Sequence, residues 1–379
     1  MRVGLNLTFL TADSGGSGRY ARELIPALLA AEPNLRLTAF VSADVPAALH
    51  AEPWAEVVEW VRFPHRPTRP GVIRPVVSML VQWGALPAIA ARRRLDLVHG
   101  LANVVPILAP RVRTVVTVLD LIWLRHPQTM PARATIGMRI VTPRSARSAD
   151  RVIAISETVR DDLIATLGLD PGKIDVTHLA VRMDATAPPT PPEELRRRLG
   201  LGNGRVVLCV AQLRRHKNLV GLIKAVAGLD DDIRLVIVGS PTGYEDDLTA
   251  VAREHSMGDR LVLPGWIPEA DLEGLYRLAE CFVLPSFEEG FGLPVLEAMR
   301  RETPVACSDV PSLREVVGEA ALLFDPHKPT AIADAIARLL SDGALRSKLA
   351  ARGLERCREF TWEATAQATL ASYRRALGG

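Results

Sequence analysis

The chain has 379 residues, of which 48% are hydrophobic and only 5% aromatic, and its formal net charge is +3. This length exceeds what one ordinary hydrophobic core accommodates, so two packed domains are expected. Basic and acidic residues are mixed along the chain, which argues against a nucleic-acid-binding protein, and the composition suits α/β layers better than a β-sandwich.

The cysteine pattern indicates a reducing compartment, and the apolar segments bear on whether the chain spans a membrane. No pair of cysteines has C-x-x-C spacing, so we expect buried thiols rather than a zinc site or a disulfide framework. The N-terminus begins with a strand-like run and not with a signal peptide. The longest apolar stretch, 76–91, is interrupted by polar residues and proline and falls short of the ~20 residues of a membrane span. We expect a cytoplasmic protein that is soluble or peripheral on the inner face of a membrane.

Strand-like and helical patterns alternate along the whole chain. The first half predicts a helix at 18–31 and strands at 3–10, 35–41, 95–99, 112–119 and 151–154. The second half predicts helices such as 272–279 and 330–340 and strands at 206–213, 233–239, 261–264, 281–285, 304–307 and 321–324. Strands that are apolar at every position indicate α/β domains with parallel sheets covered by helices on both faces.

A proline-rich segment, 187–192, divides the two halves and predicts a stiff linker that is neither helix nor inner strand. We therefore predict an N-terminal domain over 1–186 and a second domain over 187–360. A C-terminal helix is predicted over 361–379. Packing against the N-terminal domain is one expected arrangement for this helix. Ligands of open α/β sheets bind beyond the carboxyl ends of the strands, so a cleft between the two sheets is the expected site.

The run Gly15-Gly16-Ser17-Gly18 connects the first predicted strand to the first helix. Its backbone N–H groups could contact a diphosphate or an acceptor. Residues 16–21 also match G-x-G-x-x-A, a dinucleotide-binding fingerprint, although the glycines follow the strand too late to form its tight turn. An NAD-dependent oxidoreductase is therefore an alternative.

Two polar side chains follow strands of the first half and are candidates for the acceptor side. His99 ends the predicted strand 95–99, and Asp120 follows the strand 112–119. A lone histidine is more often structural, and an aspartate after a strand is as often a cap or turn residue. Both interpretations stay open for both residues.

A stretch of the first half combines aromatic with basic residues. Its members are Trp54, Trp60, Arg62, Phe63, Arg66, Arg69 and Arg74. Such a surface could dock on anionic lipid and reach a lipid-linked acceptor. A solvated variable loop is the alternative, and the pattern favours it.

Residues 230–232, Asp-Asp-Asp, match the D-x-D motif of metal-dependent transferases. They precede the predicted strand 233–239 and therefore lie at the edge of the sheet opposite to the expected site. We predict no metal and no cofactor.

The strongest motif is the stretch 286–299, SFEEGFGLPVLEAM, which follows the predicted strand 281–285. Glycine at 290 and 292 lets the backbone approach a ligand closely, and Pro294 suits the first turn of a helix that begins near Leu293. The free N–H groups of Gly292, Leu293 and Val295 then form an anion site suited to a phosphate.

Two carboxylates flank this expected anion site. Glu289 comes just before the helix and Glu297 about one turn inside it. Carboxylates accept hydrogen bonds from paired hydroxyls, so the pair suggests a sugar at each end of a diphosphate. An ordinary strand–turn–helix with solvated glutamates is the alternative.

The stretch Glu289–Glu297, the following 304–308 (PVACS) and the later 314–318 (REVVG) resemble the second domain of retaining GT-B glycosyltransferases of family four. The resemblance spans most of the chain and is densest over 206–340. It implies two Rossmann-like domains and a metal-independent enzyme that uses a UDP- or GDP-linked sugar as donor and a glycan, glycolipid or small-molecule hydroxyl as acceptor.

The resemblance also implies roles for individual residues. Glu297 would bind the ribose hydroxyls, and Glu289 with the backbone of Phe291 and Gly292 would hold the transferred sugar. Lys217 matches the lysine that neutralises the leaving diphosphate. Two further positions, Gly239 and Ile267, lie where the family contacts the nucleobase.

Two departures from the family pattern concern the site. Gln212 stands where many members carry an arginine, so Arg214 or Arg215 could supply the missing charge. Leu119 stands where relatives commonly carry a histidine that contacts the transferred sugar. A nucleotide-sugar-binding protein without transferase activity is therefore the second alternative to a retaining sugar transferase.

Overall fold

The computed structural model describes residues 1–11, 14–66, 74–107, 109, 111–127, 132–183 and 187–379, with the side chains of 74–76 and 132–134 left out. The chain divides into two compact units. The first comprises Met1–Leu179 together with Trp362–Gly379, and the second comprises Ala180–Thr361.

The first unit is a parallel sheet flanked by helices. Its strands are β1 (Arg2–Asn6), β2 (Arg36–Val41), β3 (Glu59–Arg62), β4 (Leu97–Gly100), β5 (Arg113–Val118), β6 (Arg151–Ala154) and β7 (Ile174–Val176). Its helices are α1 (Gly15–Ala31), α2 (Arg74–Leu80), α3 (Leu86–Arg92), α4 (Ile122–Arg125), α5 (Ala132–Ser148), α6 (Glu157–Leu167) and the C-terminal α15 (Trp362–Leu377). The seven strands follow the order β3-β2-β1-β4-β5-β6-β7.

The second unit repeats this architecture. Its strands are β8 (Arg205–Val210), β9 (Ile233–Val238), β10 (Leu261–Gly265), β11 (Cys281–Leu284), β12 (Val305–Ser308) and β13 (Leu322–Phe324). Its helices are α7 (Pro192–Arg198), α8 (Leu219–Ala227), α9 (Glu245–Glu254), α10 (Glu269–Leu278), α11 (Leu293–Arg300), α12 (Pro311–Val317), α13 (Pro329–Ser341) and α14 (Gly343–Cys357). The six strands follow the order β10-β9-β8-β11-β12-β13, and neighbouring strands pair in parallel.

The predicted α/β class with parallel sheets is confirmed, while two edge strands, β3 and β7, are missing from the prediction. Both lie at the ends of the first sheet. The residues of β3 are only partly buried, and β7 is three residues long with Asp175 at its centre. Edge strands keep one face or one side in solvent, so they lack the continuous apolar run by which inner strands are found.

The C-terminal helix α15 packs on α1, β5 and β6 within the first unit. The rings of Tyr20 and Trp362 lie 6.3 Å apart, and the hydroxyl of Tyr373 lies 2.7 Å from Nδ1 of His99. Thr365 donates to the carbonyl of His178 at 2.8 Å. The end of the chain thus completes the core of the unit that contains its beginning.

The proline-rich segment 187–192 is part of the second unit, whose border with the first lies at Leu179 and Ala180. The backbone N–H of Thr190 donates to the carbonyl of Ala270, and its hydroxyl donates to Asp271 at 2.6 Å. Pro192 is the first residue of α7, which corrects the prediction that the whole segment avoids helix. Proline fits there because a first-turn N–H has no partner within the helix.

The thiols of Cys209, Cys281, Cys307 and Cys357 are all buried, which confirms that prediction. Burial raises the pKa of Cys209 to about 12, so this thiol is protonated and unreactive at neutral pH. In the described part of the chain no helix is long and apolar enough to cross a membrane.

Candidate active site

The site begins where β11 ends and α11 starts, as predicted, at Leu293. Gly292 precedes the helix with φ 106° and ψ 43°, a conformation that favours glycine. A Cβ added at Gly292 would lie 2.4 Å from Cδ2 of Leu313, so a side chain there requires Leu313 to move. Pro294 occupies the first turn. The positive end of α11 therefore lies at the carboxyl edge of the second sheet, where its first N–H groups can bind an anion.

Lys217 and Glu289 form an ion pair beside this helix end, with Nζ 2.7 Å from Oε1. Ser286 donates to the same oxygen at 2.7 Å. Lys217 follows β8 and Glu289 follows β11, and these strands are neighbours at the point where the strand order of the sheet reverses. The N–H of Phe287 donates to the carbonyl of His216 at 2.8 Å, which holds the two segments together. Ligands of such sheets bind at this reversal.

Glu297 lies on α11 and is only 4% exposed. Its Oε2 accepts a hydrogen bond from the hydroxyl of Tyr276 on α10 at 3.0 Å. Phe291, between the two glutamates, is buried and packs edge-on against Phe360 at 5.7 Å. The two carboxylates therefore occupy the separate, structured positions that the motif predicts, and neither is a solvated surface residue.

The structure distinguishes the two arginines near Gln212. The side chain of Gln212 is exposed, and its Oε1 accepts a hydrogen bond from Nε of Arg214 at 3.1 Å. Arg215 pairs with Asp247 at 2.8 Å and lies over the ring of Tyr244. Arg214 is thus the cation next to Gln212, while Arg215 is engaged with α9 and the segment before it.

Gly239 and Ile267 follow β9 and β10 at the same sheet edge. Gly239 donates its N–H to the carbonyl of Gly265 at 3.2 Å, and a Cβ at Gly239 would lie 2.0 Å from the carbonyl oxygen of Ala211. Glycine is therefore required where the ends of β8 and β9 converge. Ile267 is half-buried and follows Trp266, which is 72% exposed.

Gly15, Gly16 and Ser17 form the first turn of α1, which corrects the predicted start of this helix at residue 18. Both glycines are exposed, and a Cβ at Gly16 would meet nothing within 4 Å. The hydroxyl of Ser17 donates to the carbonyl of Ser14 at 2.7 Å. The G-x-G-x-x-A match therefore lies inside a helix rather than in a strand-to-helix turn, so it does not support dinucleotide binding.

His99 is fully buried, which contradicts its predicted position facing a cleft. Nδ1 lies 2.7 Å from the hydroxyl of Tyr373 and Nε2 lies 2.8 Å from that of Thr117. Burial lowers the pKa of His99 to about 3, so its ring is neutral at physiological pH. Both nitrogens have partners in the core of the first unit, and His99 is therefore structural.

Asp120 is half-buried after β5, and its Oδ1 accepts the N–H of Ile122 at 3.1 Å. This contact forms the turn that opens α4. The N–H of Leu119 donates to the side chain of Asn103 at 2.9 Å. These hydrogen bonds support the turn interpretation of Asp120 and are compatible with an additional ligand contact.

Two of the three aromatic residues in the stretch that was a candidate for lipid binding are buried, and the third, Trp60, is half-buried. Trp54 and Phe63 are 7% and 5% exposed, and the ring of Trp60 lies 6.0 Å from that of Trp54. Arg66 pairs with Asp44 at 3.3 Å. Arg69 and the side chain of Arg74 lie outside the described residues. The burial of Trp54 and Phe63 leaves only Trp60 of these rings partly exposed, which supports the alternative to a lipid-facing aromatic surface.

The acidic run before β9 serves charge pairing. Arg205 lies 2.8 Å from Asp230 and 2.7 Å from Asp232, and Arg260 lies 3.1 Å from Asp231. These pairs lie at the amino end of β9, as the sequence predicts. Within the described ranges no three acidic, histidine or cysteine side chains are grouped as metal ligands.

Sequence reasoning missed Ser286 and Tyr276. Ser286 lies three residues before Glu289, and its position just after β11 was a usable signal. Tyr276 lies on another helix, and only the packing of α10 against the site brings it to Glu297.

Comparison with known proteins identifies the family of the chain. The profile of "Glycosyl transferases group 1" matches residues 192–356, and that of "Glycosyltransferase Family 4" matches residues 14–185. The chain is 33% identical over 268 residues to O-antigen chain mannosyltransferase B of Escherichia coli, covering 69% of this chain and 70% of that protein. It is 29% identical to a D-inositol 3-phosphate glycosyltransferase of Pseudarthrobacter chlorophenolicus, covering 97% of this chain and 92% of the relative.

The fold also matches solved structures over the full length. HepE of Anabaena, in complex with UDP and glucose, has a TM-score of 0.80 at 18% identity and covers 99% of this chain and 100% of its own. Sucrose-phosphate synthase of Thermosynechococcus elongatus has a TM-score of 0.79 at 23% identity, with 99% and 98% covered. With its two parallel sheets and these matches, the chain belongs to the family-four glycosyltransferases of the GT-B fold.

Proposed function

We propose that this glycosyltransferase moves a hexose from a UDP- or GDP-linked donor to an acceptor hydroxyl, with retention of anomeric configuration and without a metal ion. The observation that carries the proposal is the Lys217–Glu289 pair beside the N-terminus of α11. A cation, a helix end and a carboxylate at one sheet edge suit a diphosphate joined to a sugar.

The chemistry follows from the charge that develops on the leaving group. The bond from the anomeric carbon to the diphosphate breaks with its electron pair on the phosphate oxygen. The acceptor oxygen bonds to the same carbon on the face that the diphosphate leaves, and its proton passes to the departing phosphate oxygen. Lys217 and the N–H groups of α11 stabilise the negative charge growing on the diphosphate, which lowers the barrier. Because Lys217 and the helix end supply positive charge, the proposal needs no metal.

The other residues position the substrates. Glu289, with the backbone of Phe291 and Gly292, orients the transferred sugar, and orientation alone contributes strongly to rate. Glu297 binds the ribose hydroxyls. Gly239 and Ile267 contact the base through their backbones. We assign the exposed first turn of α1 and Asp120 to phosphate and acceptor contacts.

A ligand panel followed by product analysis tests the proposal. UDP, GDP, ADP, NAD and the corresponding nucleotide sugars are added to the wild type and to Glu297→Ala. A ligand that binds only the folded protein raises Tm, so one nucleoside diphosphate should stabilise the wild type, Glu297→Ala much less, and NAD should have no effect.

Transfer is then measured with the matching radiolabelled sugar in the presence of EDTA, and the anomeric configuration of the product is read by NMR. Full activity with EDTA and a retained configuration are expected. If no nucleoside diphosphate raises Tm and no sugar is transferred or hydrolysed, the proposal is wrong. Tight binding without turnover would instead identify a nucleotide-sugar-binding protein.

One observation favours a membrane-associated acceptor, on a different surface from the aromatic stretch. Ile136 and Ile140 on α5 are 60% and 44% exposed, and Arg139 and Arg144 are exposed beside them. Residues four apart share one helix face, and α5 contains no acidic residue. Exposed apolar side chains among arginines, on a helix without acidic residues, suit the surface of an anionic bilayer, so we propose that α5 contacts one.

Co-sedimentation with phosphatidylglycerol and phosphatidylcholine vesicles tests this contact. The wild type should bind the anionic vesicles only, and the double variant I136E/I140E should stay in the supernatant. Val57→Glu is the matched control, since Val57 is 67% exposed near the aromatic stretch and should not be needed. Binding that survives I136E/I140E, or is lost in Val57→Glu, would contradict the assignment to α5.

A further inference from the structure

The carboxylate of Glu297 is held by a residue of another helix. Tyr276 on α10 is fully buried, and its hydroxyl donates to Oε2 of Glu297 at 3.0 Å. Thr303 donates to the backbone carbonyl of Tyr276 at 2.7 Å, and the ring of Phe282 lies 5.7 Å from that of Tyr276. The phenol therefore has a fixed position from which it can orient the carboxylate.

Arg301 joins both partners of this hydrogen bond. Its guanidinium carbon lies 4.4 Å from the centre of the Tyr276 ring, and its Nη1 donates to the backbone carbonyl of Glu297 at 2.8 Å. A cation over a buried aromatic face is attractive, and the second contact ties the same group to α11. Arg301 thus couples the position of the Tyr276 ring to the turn that carries Glu297.

The carboxylate of Glu273 holds the guanidinium of Arg301 in place. It is fully buried on α10 and accepts hydrogen bonds from Nε of Arg301 at 2.7 Å and from Nη2 of Arg300 at 2.8 Å. The side chains of Arg300 and Arg301 are 6% and 1% exposed. A buried charge that is paired and hydrogen-bonded resists displacement, because removing one partner leaves the other unsolvated. Glu273 and Tyr276 are one turn apart on the same helix. α10 therefore supplies both the carboxylate that binds Arg301 and the hydroxyl that contacts Glu297.

We infer that Tyr276 is a positioning residue for Glu297, which it orients to receive the vicinal hydroxyls of the donor ribose, with Arg301 and Glu273 holding Tyr276 in place. The inference rests on the proposed function, since it takes Glu297 as the ribose-binding carboxylate. A glutamate side chain that is already fixed loses less rotational freedom when the ligand binds, and the hydroxyl of Tyr276 provides that fixation.

The test compares ligands with and without ribose hydroxyls. The affinities of UDP and GDP, and of their 2′,3′-dideoxy analogues, are measured for the wild type and for Tyr276→Phe. Phenylalanine keeps the ring under Arg301 and removes only the hydroxyl. For the diphosphate that binds the wild type, affinity should fall about 5- to 10-fold. The dideoxy analogue should bind both proteins equally, because it lacks the groups that Glu297 receives.

Tyr373→Phe is the matched control. Tyr373 is also fully buried with a hydrogen-bonded hydroxyl, but it lies in the first unit beside His99. This variant should lose a comparable amount of Tm and leave every nucleotide affinity unchanged. The inference would be overturned if Tyr276→Phe bound the natural and the dideoxy ligand with equally reduced affinity, or bound both with unchanged affinity. Failure of the wild type to bind any nucleoside diphosphate would overturn the proposed function instead, so the two failures are distinguishable.

Discussion

The ammonium of Lys217 lies 2.7 Å from Oε1 of Glu289, although 72 residues separate them in the chain. Both side chains are mostly buried, with 15% and 9% of their surface exposed. An ammonium has three N–H donors, and the hydrogen bond to Glu289 uses one of them. The pair can therefore hold a sugar hydroxyl through the carboxylate and a phosphate through the ammonium at the same time.

Replacing Lys217 by alanine should lower kcat by about 10²- to 10³-fold, the usual effect of removing one group that stabilises transition-state charge. Donor affinity should fall as well, because the diphosphate is charged before transfer. Initial rates with the labelled donor measure both parameters. Lys224→Ala removes an exposed lysine of α8 and is the control. Unchanged kcat in Lys217→Ala would exclude the assigned role.

Glu289→Gln should lower the transfer rate by about 10²-fold, as expected when a substrate is misplaced by a small distance. The affinity for the nucleoside diphosphate alone should change little, since that ligand carries the ribose but lacks the transferred hexose. Glu288→Gln is the matched control at the neighbouring position. If Glu289→Gln bound the sugar nucleotide with normal affinity and transferred the sugar at the wild-type rate, the assignment of Glu289 to the site would be wrong.

Arg214→Ala should weaken diphosphate binding about tenfold, and Arg215→Ala should leave it unchanged. The reason is their placement, since Arg214 contacts Gln212 whereas Arg215 pairs with Asp247. Titration calorimetry with the diphosphate measures the difference. Adding Gln212→Arg to Arg214→Ala should restore affinity if a charge at this place is what matters. If Arg215→Ala weakened diphosphate binding and Arg214→Ala did not, Arg215 would be the residue that supplies the charge missing at Gln212.

Gly292→Ala should destabilise the protein by about 1–3 kcal/mol, because alanine is strained at a φ of 106° and its Cβ would clash with Leu313. Denaturant unfolding measures the loss. Gly343→Ala is the control, since Gly343 opens α14 and an added Cβ has its nearest contact 3.7 Å away, at Arg346. Equal stability of the two variants would mean that the turn before α11 accepts a side chain.

Acid should destabilise the first unit through His99. Its pKa falls from 6.5 to about 3 in the folded state because burial penalises the charged ring. Below pH 6.5 the unfolded chain binds a proton that the folded unit does not, so stability is full above that pH. It declines by up to about 1.4 kcal/mol per pH unit toward pH 3.

Urea unfolding of the wild type and of His99→Gln between pH 7 and pH 4 measures this dependence. The glutamine variant is less stable at neutral pH but should show a shallower decline, since glutamine does not titrate. Parallel curves for the two proteins would assign the acid sensitivity to other groups.

The inner strands and the turn that leads into α11 were predictable because each depends on local sequence. β11 is a run of apolar residues and β9 is apolar except at Arg234, as a sheet buried on both faces requires. The turn before α11 is encoded by Gly292 and Pro294, whose backbone preferences act without distant partners. The edge strands β3 and β7 carry weaker patterns because part of their surface stays in solvent.

The sequence by itself determined the α/β class, the helix start at Leu293 and the identity of the two glutamates, since periodicity and backbone preference are local properties. Only the tertiary structure decided that the hydroxyl of Tyr276 donates to Glu297, that Arg214 rather than Arg215 contacts Gln212, and that both ring nitrogens of His99 have partners in the core. Each of these facts depends on tertiary contacts. Parallel strands and packed helices bring side chains together that are far apart in the sequence. Burial then lowers the pKa of His99 and keeps its ring neutral, and no local pattern encodes that burial.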